Sequence, residues 1–578
     1  MARKIPLAQH LFARLRQLNC HSIHGVPGDF MLRALDLLPQ SGVRWTGNAS
    51  ELCAGYAADG YARSAFMARL THRPVPRVGA LFTTYGVGEL SAINAVAGAY
   101  SENVPVVHFV GTPSRRQWRE KPVIHHSLGD GRLDKWAEMA KQITCAQADL
   151  GCGDPEEAVA RYDEVLRKCV EMSRPVYVNL PVDMVGKEID GATLGRPLLM
   201  DRENGSEEDK GVEEVVSEVV GRVRGAKQPL VVADGLSYPF DFVDELNELV
   251  RTTQIPAMCF NAGKGLIDES LPSWRGPLTS PIEGFTSADL VLLFGPLLSD
   301  TNTAAWSLVP DPERVVSFHR SEVNICGKSC EVDGKQVLRT LVERLKADSL
   351  TLQSEVGTTR SRNAPPAVPS SSSIKQDDLW RRLSLWLKPH DIVLLANGTP
   401  LIGGRDITLP HPVQVIASGI WCSIGSMLPA AQGVAAARQD HGISGRTILL
   451  EGDGSFQVTC QSISDIIRHK LNVTIIIANN AGYAYERWLN GMTAEYNDVP
   501  SWQYTEAPRF FGAKENDSSY PVHARRVQTW GELERCLDAD EFAGGRGLTI
   551  IDIVMAPDDV PEAAKAGLRR ASQVLSTM

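Results

Sequence analysis

The sequence predicts an α/β protein built of three consecutive α/β domains with mainly parallel sheets. Three observations predict it. The 578 residues amount to roughly three or four domains' worth of chain, enough for several sizeable cores. Short apolar, β-branched runs alternate with stretches of helical periodicity along most of the chain, the signature of layered α/β architecture. Two breaks in composition then cut this pattern: a polar, glycine-containing stretch at about 189–210, and a Ser/Pro-rich stretch from Ser354 to Ser373 that cannot build a core. The expected division is 1–188, 210–346, a linker at 347–374, and 375–578.

In the first unit, Ala8, Leu11, Phe12, Leu15 and Leu18 form one apolar stripe that runs into a strand-like segment and Gly25-Val-Pro-Gly-Asp29. The basic, amphipathic start imitates a mitochondrial presequence, but a stripe leading directly into a strand reads as the first helix of a domain. Val78-Gly-Ala-Leu-Phe82 and Val104-Pro-Val-Val-His-Phe-Val110 are the next strands. The second unit has Pro229-Leu-Val-Val-Ala233, Leu290-Val-Leu-Leu-Phe294 and Val315-Val-Ser-Phe318. The third begins with the strand Ile392-Val-Leu-Leu-Ala396 and the turn Asn397-Gly-Thr399. The end, Leu-Ser-Thr-Met, is no recognised address.

The balance of 59 basic and 69 acidic residues, net −10, argues against nucleic acid or an anionic membrane as partner and leaves a small molecule. No apolar run reaches membrane-spanning length, so a soluble protein is expected. The 11 cysteines are scattered and lack a zinc spacing, which suits a reducing, cytoplasmic setting.

The chemistry concentrates between Asp453 and Asn480. Thr447-Ile-Leu-Leu-Glu-Gly-Asp-Gly-Ser455 reads as a strand, then a tight turn at Gly452 and Gly454 that opens a helix. Ile463, Ile466, Ile467 and Leu471 continue with helical spacing, and Val473-Thr-Ile-Ile-Ile-Ala-Asn-Asn-Ala-Gly-Tyr483 is a second strand and its loop. A strand, helix, strand unit with parallel strands returns both strand ends to one sheet edge, so Asp453 and Asn480 are expected side by side. Two oxygen ligands beside Ser455 and glycine amides suit a hard divalent cation carrying a diphosphate, because magnesium takes few protein ligands and a helix amino end receives anions. Alone, a Gly-Asp-Gly would be a surface turn.

Gly-Asp-Gly, about two dozen residues, then Asn-Asn resembles the Mg²⁺-diphosphate motif of thiamine diphosphate enzymes. The order of further motifs is similar to the pyruvate decarboxylase and indolepyruvate decarboxylase group of 2-keto acid decarboxylases. They are Gly25-Val-Pro-Gly-Asp-Phe30, Gly47-Asn-Ala-Ser-Glu-Leu52, Tyr56-Ala-Ala-Asp-Gly-Tyr-Ala-Arg63, Thr83-Thr-Tyr-Gly-Val-Gly-Glu-Leu-Ser91, His125-His126, Leu297-Leu-Ser-Asp300, Trp421-Cys-Ser-Ile-Gly425 and Glu451 to Glu486. The resemblance implies pyrimidine-binding, central and diphosphate-binding domains. It implies thiamine diphosphate and Mg²⁺ as cofactors, with Asp453, Asn480 and the Gly482 carbonyl as metal ligands. Glu51 becomes the acid/base on the cofactor's pyrimidine nitrogen, although a Glu opening a helix is also favoured by the dipole. Ile424 becomes the wedge that bends the cofactor, and the Cys422 carbonyl accepts from its exocyclic amine. Thr84, Asn397, Thr399, Gly452, Gly454 and Ser455 complete the cofactor contacts. Asp29, His125, His126 and Glu486 become the proton-handling groups around a small 2-keto acid, although adjacent histidines alone read more readily as a polar surface turn. A homodimer or homotetramer with the site between subunits is implied.

The sequence departs from the resembled pattern at several places. Tyr485 stands where a smaller aliphatic residue is common, and Asn397 where Thr is common. Leu236-Ser237 replaces the adjacent cysteines of substrate-activated enzymes, and residues 67–76 read as an insertion. Non-oxidative decarboxylation, most simply pyruvate to acetaldehyde and CO₂, is the leading expectation. An aromatic or branched keto acid as substrate and an acetohydroxyacid synthase-like carboligase are the alternatives; the histidine pair and Glu486 favour protonation over ligation. Intact Glu51, Asp453, Asn480 and Glu486 count against a non-catalytic paralogue. No Gly-x-Gly-x-x-Gly follows a strand as a dinucleotide site requires.

Overall fold

The structure, a computed structural model, describes residues 4–65, 76–199, 208–279, 282–348 and 367–562, with 564, 565, 567–569 and 572 beyond them. The proposed insertion at 67–76, apart from Pro76, and most of the Ser/Pro-rich linker lie outside the described residues.

Three sheets follow one another along the chain. The first runs, edge to edge, Arg44–Gly47, Ser22–Gly25, Gly79–Thr84, Val106–Thr112, Val176–Pro181 and Ala146–Asp149, all parallel. The central sheet has five parallel strands, Trp274–Pro277, Ala257–Cys259, Pro229–Ala233, Leu290–Phe294 and Val315–Phe318. It ends in the antiparallel Val323–Ile325 and Lys328–Cys330. The third is parallel throughout: Gln414–Ala417, Ile392–Leu395, Thr447–Gly452, Val473–Asn479, Leu548–Val554 and Val522–Val527. Helices cover both faces of such sheets, which is why the inner strands are continuous apolar runs. Val473 to Ala478, for example, is buried at every position.

Two local features differ from the sequence expectation. The single helix expected after Asp453 is two, Asp453–Thr459 and Ser462–Arg468. The chain turns at Cys460 and Gln461, where Thr459 donates its hydroxyl to the Gly425 carbonyl at 2.7 Å. The first unit also continues past residue 188, since Glu188–Asp190 pairs antiparallel with Lys4–Pro6. That pairing joins residues over 180 apart, and no local pattern reports it.

The first and third units share one hydrophobic core, whereas the central unit has its own. The shared core is built on a close crossing of helix Glu51–Arg63 with helix Met427–His441. Glycines permit that approach: a Cβ on Gly60 would lie 2.1 Å from the Ala430 carbonyl oxygen, and one on Gly433 would lie 1.9 Å from that of Ala57. This crossing fixes Glu51, at the start of its helix, relative to the third unit.

Candidate active site

Chain order in the third sheet reverses between Ile392–Leu395 and Thr447–Gly452: the next strand after Ile392–Leu395 lies on one side, and Thr447–Gly452 on the other. Ligands bind outside the carboxyl ends of strands at such a reversal. Here the ends of Ile392–Leu395, Thr447–Gly452 and Val473–Asn479 frame a cavity of about 140 Å³. Gly452 is in register with Ala478, which brings Asp453 and Asn480 to the same edge.

Asp453 is 1% exposed and Asn480 3%. The two Asp453 oxygens accept the Gly454 amide at 2.8 Å and the Gly482 amide at 3.0 Å. Burial nevertheless pushes its carboxyl up to about 6. The Asn480 Oδ1 is buried without a hydrogen-bond partner. A desolvated carboxylate beside an unpartnered amide oxygen is costly until a cation joins them, and hard oxygen donors match Mg²⁺. Gly482 must be glycine, because its φ is 156° and a Cβ would meet the Asn497 carbonyl oxygen at 2.2 Å. These residues fit a divalent metal with a diphosphate.

The same cavity is lined by Asn397, Thr399, Cys422, Ile424, Gly452, Gly454, Ser455 and Glu486. Ile424 is half-buried, projecting at the cavity and not into the core. Cys422 has a left-handed backbone, φ 51°, and its carbonyl accepts from the Asn397 amide at 2.7 Å, which leaves one lone pair for a ligand. Ser455 accepts the Gly425 amide at 2.8 Å, so its hydroxyl also anchors the Trp421–Gly425 turn. Glu486 is exposed at the mouth, yet its carboxyl is raised by desolvation.

A second group of residues gathers at the carboxyl edge of the first sheet. Asp29 Oδ2 lies 2.8 Å from His125 Nε2, His125 stacks on Phe30 with centroids 4.9 Å apart, and the His126 ring is 4.7 Å from that of His125. His126 holds a left-handed turn, φ 63°, as a polar turn would, and it stands beside the Asp29–His125 pair. Thr84 is buried with an unpartnered hydroxyl, and Gly28 packs against it. Glu51 is half-buried, and desolvation raises its carboxyl. The loop before it is tied to the third unit: the Asp465 carboxylate accepts the Asn48 amide and the Ala49 N–H, both at 3.2 Å.

Within one chain these groups form two separate clusters. None of Asp29, Glu51, Thr84, His125 and His126 lines the cavity that holds the other eleven predicted residues. Its volume is also below the roughly 300–1,000 Å³ of complete small-molecule sites.

Three family models match the chain: the thiamine pyrophosphate enzyme N-terminal TPP binding domain over residues 5–134, the central domain over 216–347, and the C-terminal TPP binding domain over 402–553. The chain belongs to the thiamine pyrophosphate enzyme family. It is 38% identical to pyruvate decarboxylase of Aspergillus parasiticus, with 96% of each chain covered. Pyruvate decarboxylase isozyme 1 of Saccharomyces cerevisiae is 34% identical and a putative pyruvate decarboxylase of Schizosaccharomyces pombe 36%, each with 97% of both chains covered. Thiamine diphosphate with Mg²⁺ is the usual cofactor set of this family.

Sequence reasoning missed two features of this thiamine enzyme. Glu451, fully buried beside Gly452, has its carboxyl pushed up to about 8 by burial. Thr301 and Arg405 line the cavity too, beside Tyr485, which the sequence already set apart as a departure from the resembled pattern. The available signal was charge inside apolar runs, Glu451 ending a strand and Arg405-Asp406 following Gly403-Gly404. Leu236 and Ser237 carry no thiol, and Ser237 is buried with its hydroxyl on the Phe294 carbonyl.

Proposed function

We propose that this protein decarboxylates a 2-keto acid without oxidation, releasing an aldehyde and CO₂, with pyruvate to acetaldehyde as the simplest case. End-to-end similarity to curated pyruvate decarboxylases supports the reaction class. The observation that carries the choice of protonation over ligation is the Asp29–His125 pair at 2.8 Å with His126 beside it, a set of proton-transfer groups on the sheet edge next to Glu51.

When bound, the cofactor supplies an electron sink for the pair released with CO₂. The chain's residues do the rest. Asp453, Asn480 and the Gly482 carbonyl would hold Mg²⁺, and Thr399 with the Gly454 and Ser455 turn would receive the diphosphate. Ile424 would pack against the cofactor from the cavity wall, Asn397 fixes the Cys422 carbonyl, and Glu51 would be the group that holds or releases a proton at the cofactor's pyrimidine nitrogen. Asp29, His125, His126 and Glu486 deliver and remove protons at the substrate carbon; a raised carboxyl such as Glu486 retains its proton closer to neutral pH than an ordinary one.

The separation of the two clusters within one chain supports a homodimer or homotetramer, with the first unit of one copy closing the cavity in the third unit of another. In that reading the three units are pyrimidine-binding, central and diphosphate-binding. Among the described residues no helix is long and apolar enough to cross a membrane. The scattered, free cysteines support a cytoplasmic setting.

The test is incubation of purified protein, thiamine diphosphate and Mg²⁺ with pyruvate, phenylpyruvate, indolepyruvate and branched keto acids, with aldehyde and hydroxyketone both quantified. Aldehyde is expected as the main product. Hydroxyketone as the dominant product from pyruvate would replace the reading with a carboligase.

A further inference from the structure

Arg405 lies in the turn Gly404–Asp406, directly after the helix Thr399–Gly403 that opens at the diphosphate end of the cavity. It lines the same cavity as Asp453, Asn480 and Glu486. Its Nε is shielded from solvent without a hydrogen-bond partner, and no carboxylate among the described residues is ion-paired with it. The neighbouring Asp406 is half-buried without an ion pair to Arg405, and nearby Lys264 is already paired with Glu269 at 2.6 Å. Burial lowers the guanidinium to about 10, so it stays charged at neutral pH. Asp406 acts on it electrostatically without pairing to it; a largely desolvated cation without a directly paired carboxylate is costly, and a cavity lined by one is suited to an anion.

Three anions could meet it in a keto acid decarboxylase. The diphosphate belongs at the Asp453 and Thr399 end; six residues of helix-like chain separate Thr399 from Arg405, roughly 9 Å. The carboxylate that leaves as CO₂ loses its charge during the reaction, so a guanidinium on it would hold the ground state more tightly than the transition state. The third is an anionic group at the far end of the substrate. Thr301 and Tyr485 line the cavity as well, and the Tyr485 phenol lies within the electrostatic reach of Arg405. That end of the cavity is polar and cationic.

We propose that Arg405 is a specificity residue that recognises a second carboxylate, at the far end of the side chain of a 2-ketodicarboxylic acid. This rests on the decarboxylase reading above. A planar guanidinium binds a carboxylate through two parallel hydrogen bonds, which a methylene chain cannot replace.

The experiment compares wild type, Arg405→Met and Arg405→Lys as holoenzymes on 2-ketoglutarate, on 2-ketovalerate, which has the same chain length without the second carboxylate, and on pyruvate. Bound thiamine diphosphate is measured in each, and glutarate binding is followed by calorimetry. Arg405→Met is expected to lose about 100-fold in kcat/KM on 2-ketoglutarate. Turnover of the other two acids and cofactor retention should hold, glutarate binding should vanish, and Arg405→Lys should recover part of the loss. Equal loss on all three substrates together with lost cofactor would assign the arginine to the diphosphate and overturn the proposal. So would wild-type turnover of pyruvate with none of 2-ketoglutarate, which leaves the decarboxylase reading standing. No turnover of any keto acid would overturn that reading and this proposal with it.

Discussion

Two opposed effects act on the Glu51 carboxyl. It opens the helix Glu51–Arg63, whose dipole favours negative charge, yet desolvation prevails and raises its carboxyl above the ordinary range. A carboxyl raised in this way holds its proton to higher pH than an ordinary one. Glu51→Gln keeps the shape and removes the exchange, so aldehyde release should fall by about 10² to 10⁴-fold. Thiamine diphosphate retained with Mg²⁺ should stay measurable after desalting; full activity would remove Glu51 from the relay. Glu89, 5% exposed, offers a check on stability. It accepts the Gly86 amide at 2.8 Å and the Tyr177 hydroxyl at 2.9 Å, and burial raises it from 4.5 to about 7. Its folded state binds the proton more tightly than the unfolded chain, so its contribution is full below pH 4.5 and is lost as pH rises through 7. The shift corresponds to about 3 kcal/mol. Glu89→Gln should therefore gain on wild type by up to that amount between pH 4 and pH 8, read from denaturant midpoints; a constant gap would contradict it. Asp453 and Asn480 were legible in the sequence because both follow strands at a fixed edge. The 2.8 Å pairing of Asp29 with His125 was not, since it joins residues 96 apart.

The helix crossing carries the alignment of the first and third units. A side chain on Gly433 would drive the two helices apart, because its Cβ position is 1.9 Å from the Ala57 carbonyl oxygen and backbone cannot yield as a flexible side chain can. Gly433→Val should cost at least the upper part of the usual overpacking range of about 1–3 kcal/mol, measured by denaturant unfolding. An unchanged midpoint would show that the crossing is not tight. Elements of this kind differ in how far a sequence reveals them. Pro229–Ala233, Leu290–Phe294 and Val315–Phe318 coincide with their apolar runs because both faces of a parallel sheet are covered. The turn at Cys460 and Gln461 depends on a hydroxyl reaching Gly425 across the fold, and the Ser/Pro-rich stretch docks at its far end. There the Ser370 and Ser372 carbonyls accept the Gly531 and Trp530 amides at 2.9 and 3.0 Å. Composition alone cannot report either contact.

At the scale of the molecule, the fold places Asp29, Glu51, His125 and His126 at the edge of one parallel sheet and Asp453, Asn480 and Gly482 at the edge of another, and within one chain the first group does not line the cavity of the second. Exposed apolar side chains flank both, Leu32 and Val87 beside the first and Ile420, Trp421 and Val458 beside the second. Exposed apolar groups at a half-formed site are what a second copy would cover. The central claim is that each working site joins Glu51 of one copy to Asp453 of another. It is tested most directly with a dimer purified through two different tags, one copy carrying Glu51→Gln and the other Asp453→Ala. Sites shared between copies leave one site doubly altered and one intact, so the mixed dimer should show about half the wild-type activity while each parent dimer is inactive. A mixed dimer as inactive as its parents would place the whole site within a single chain and contradict the account.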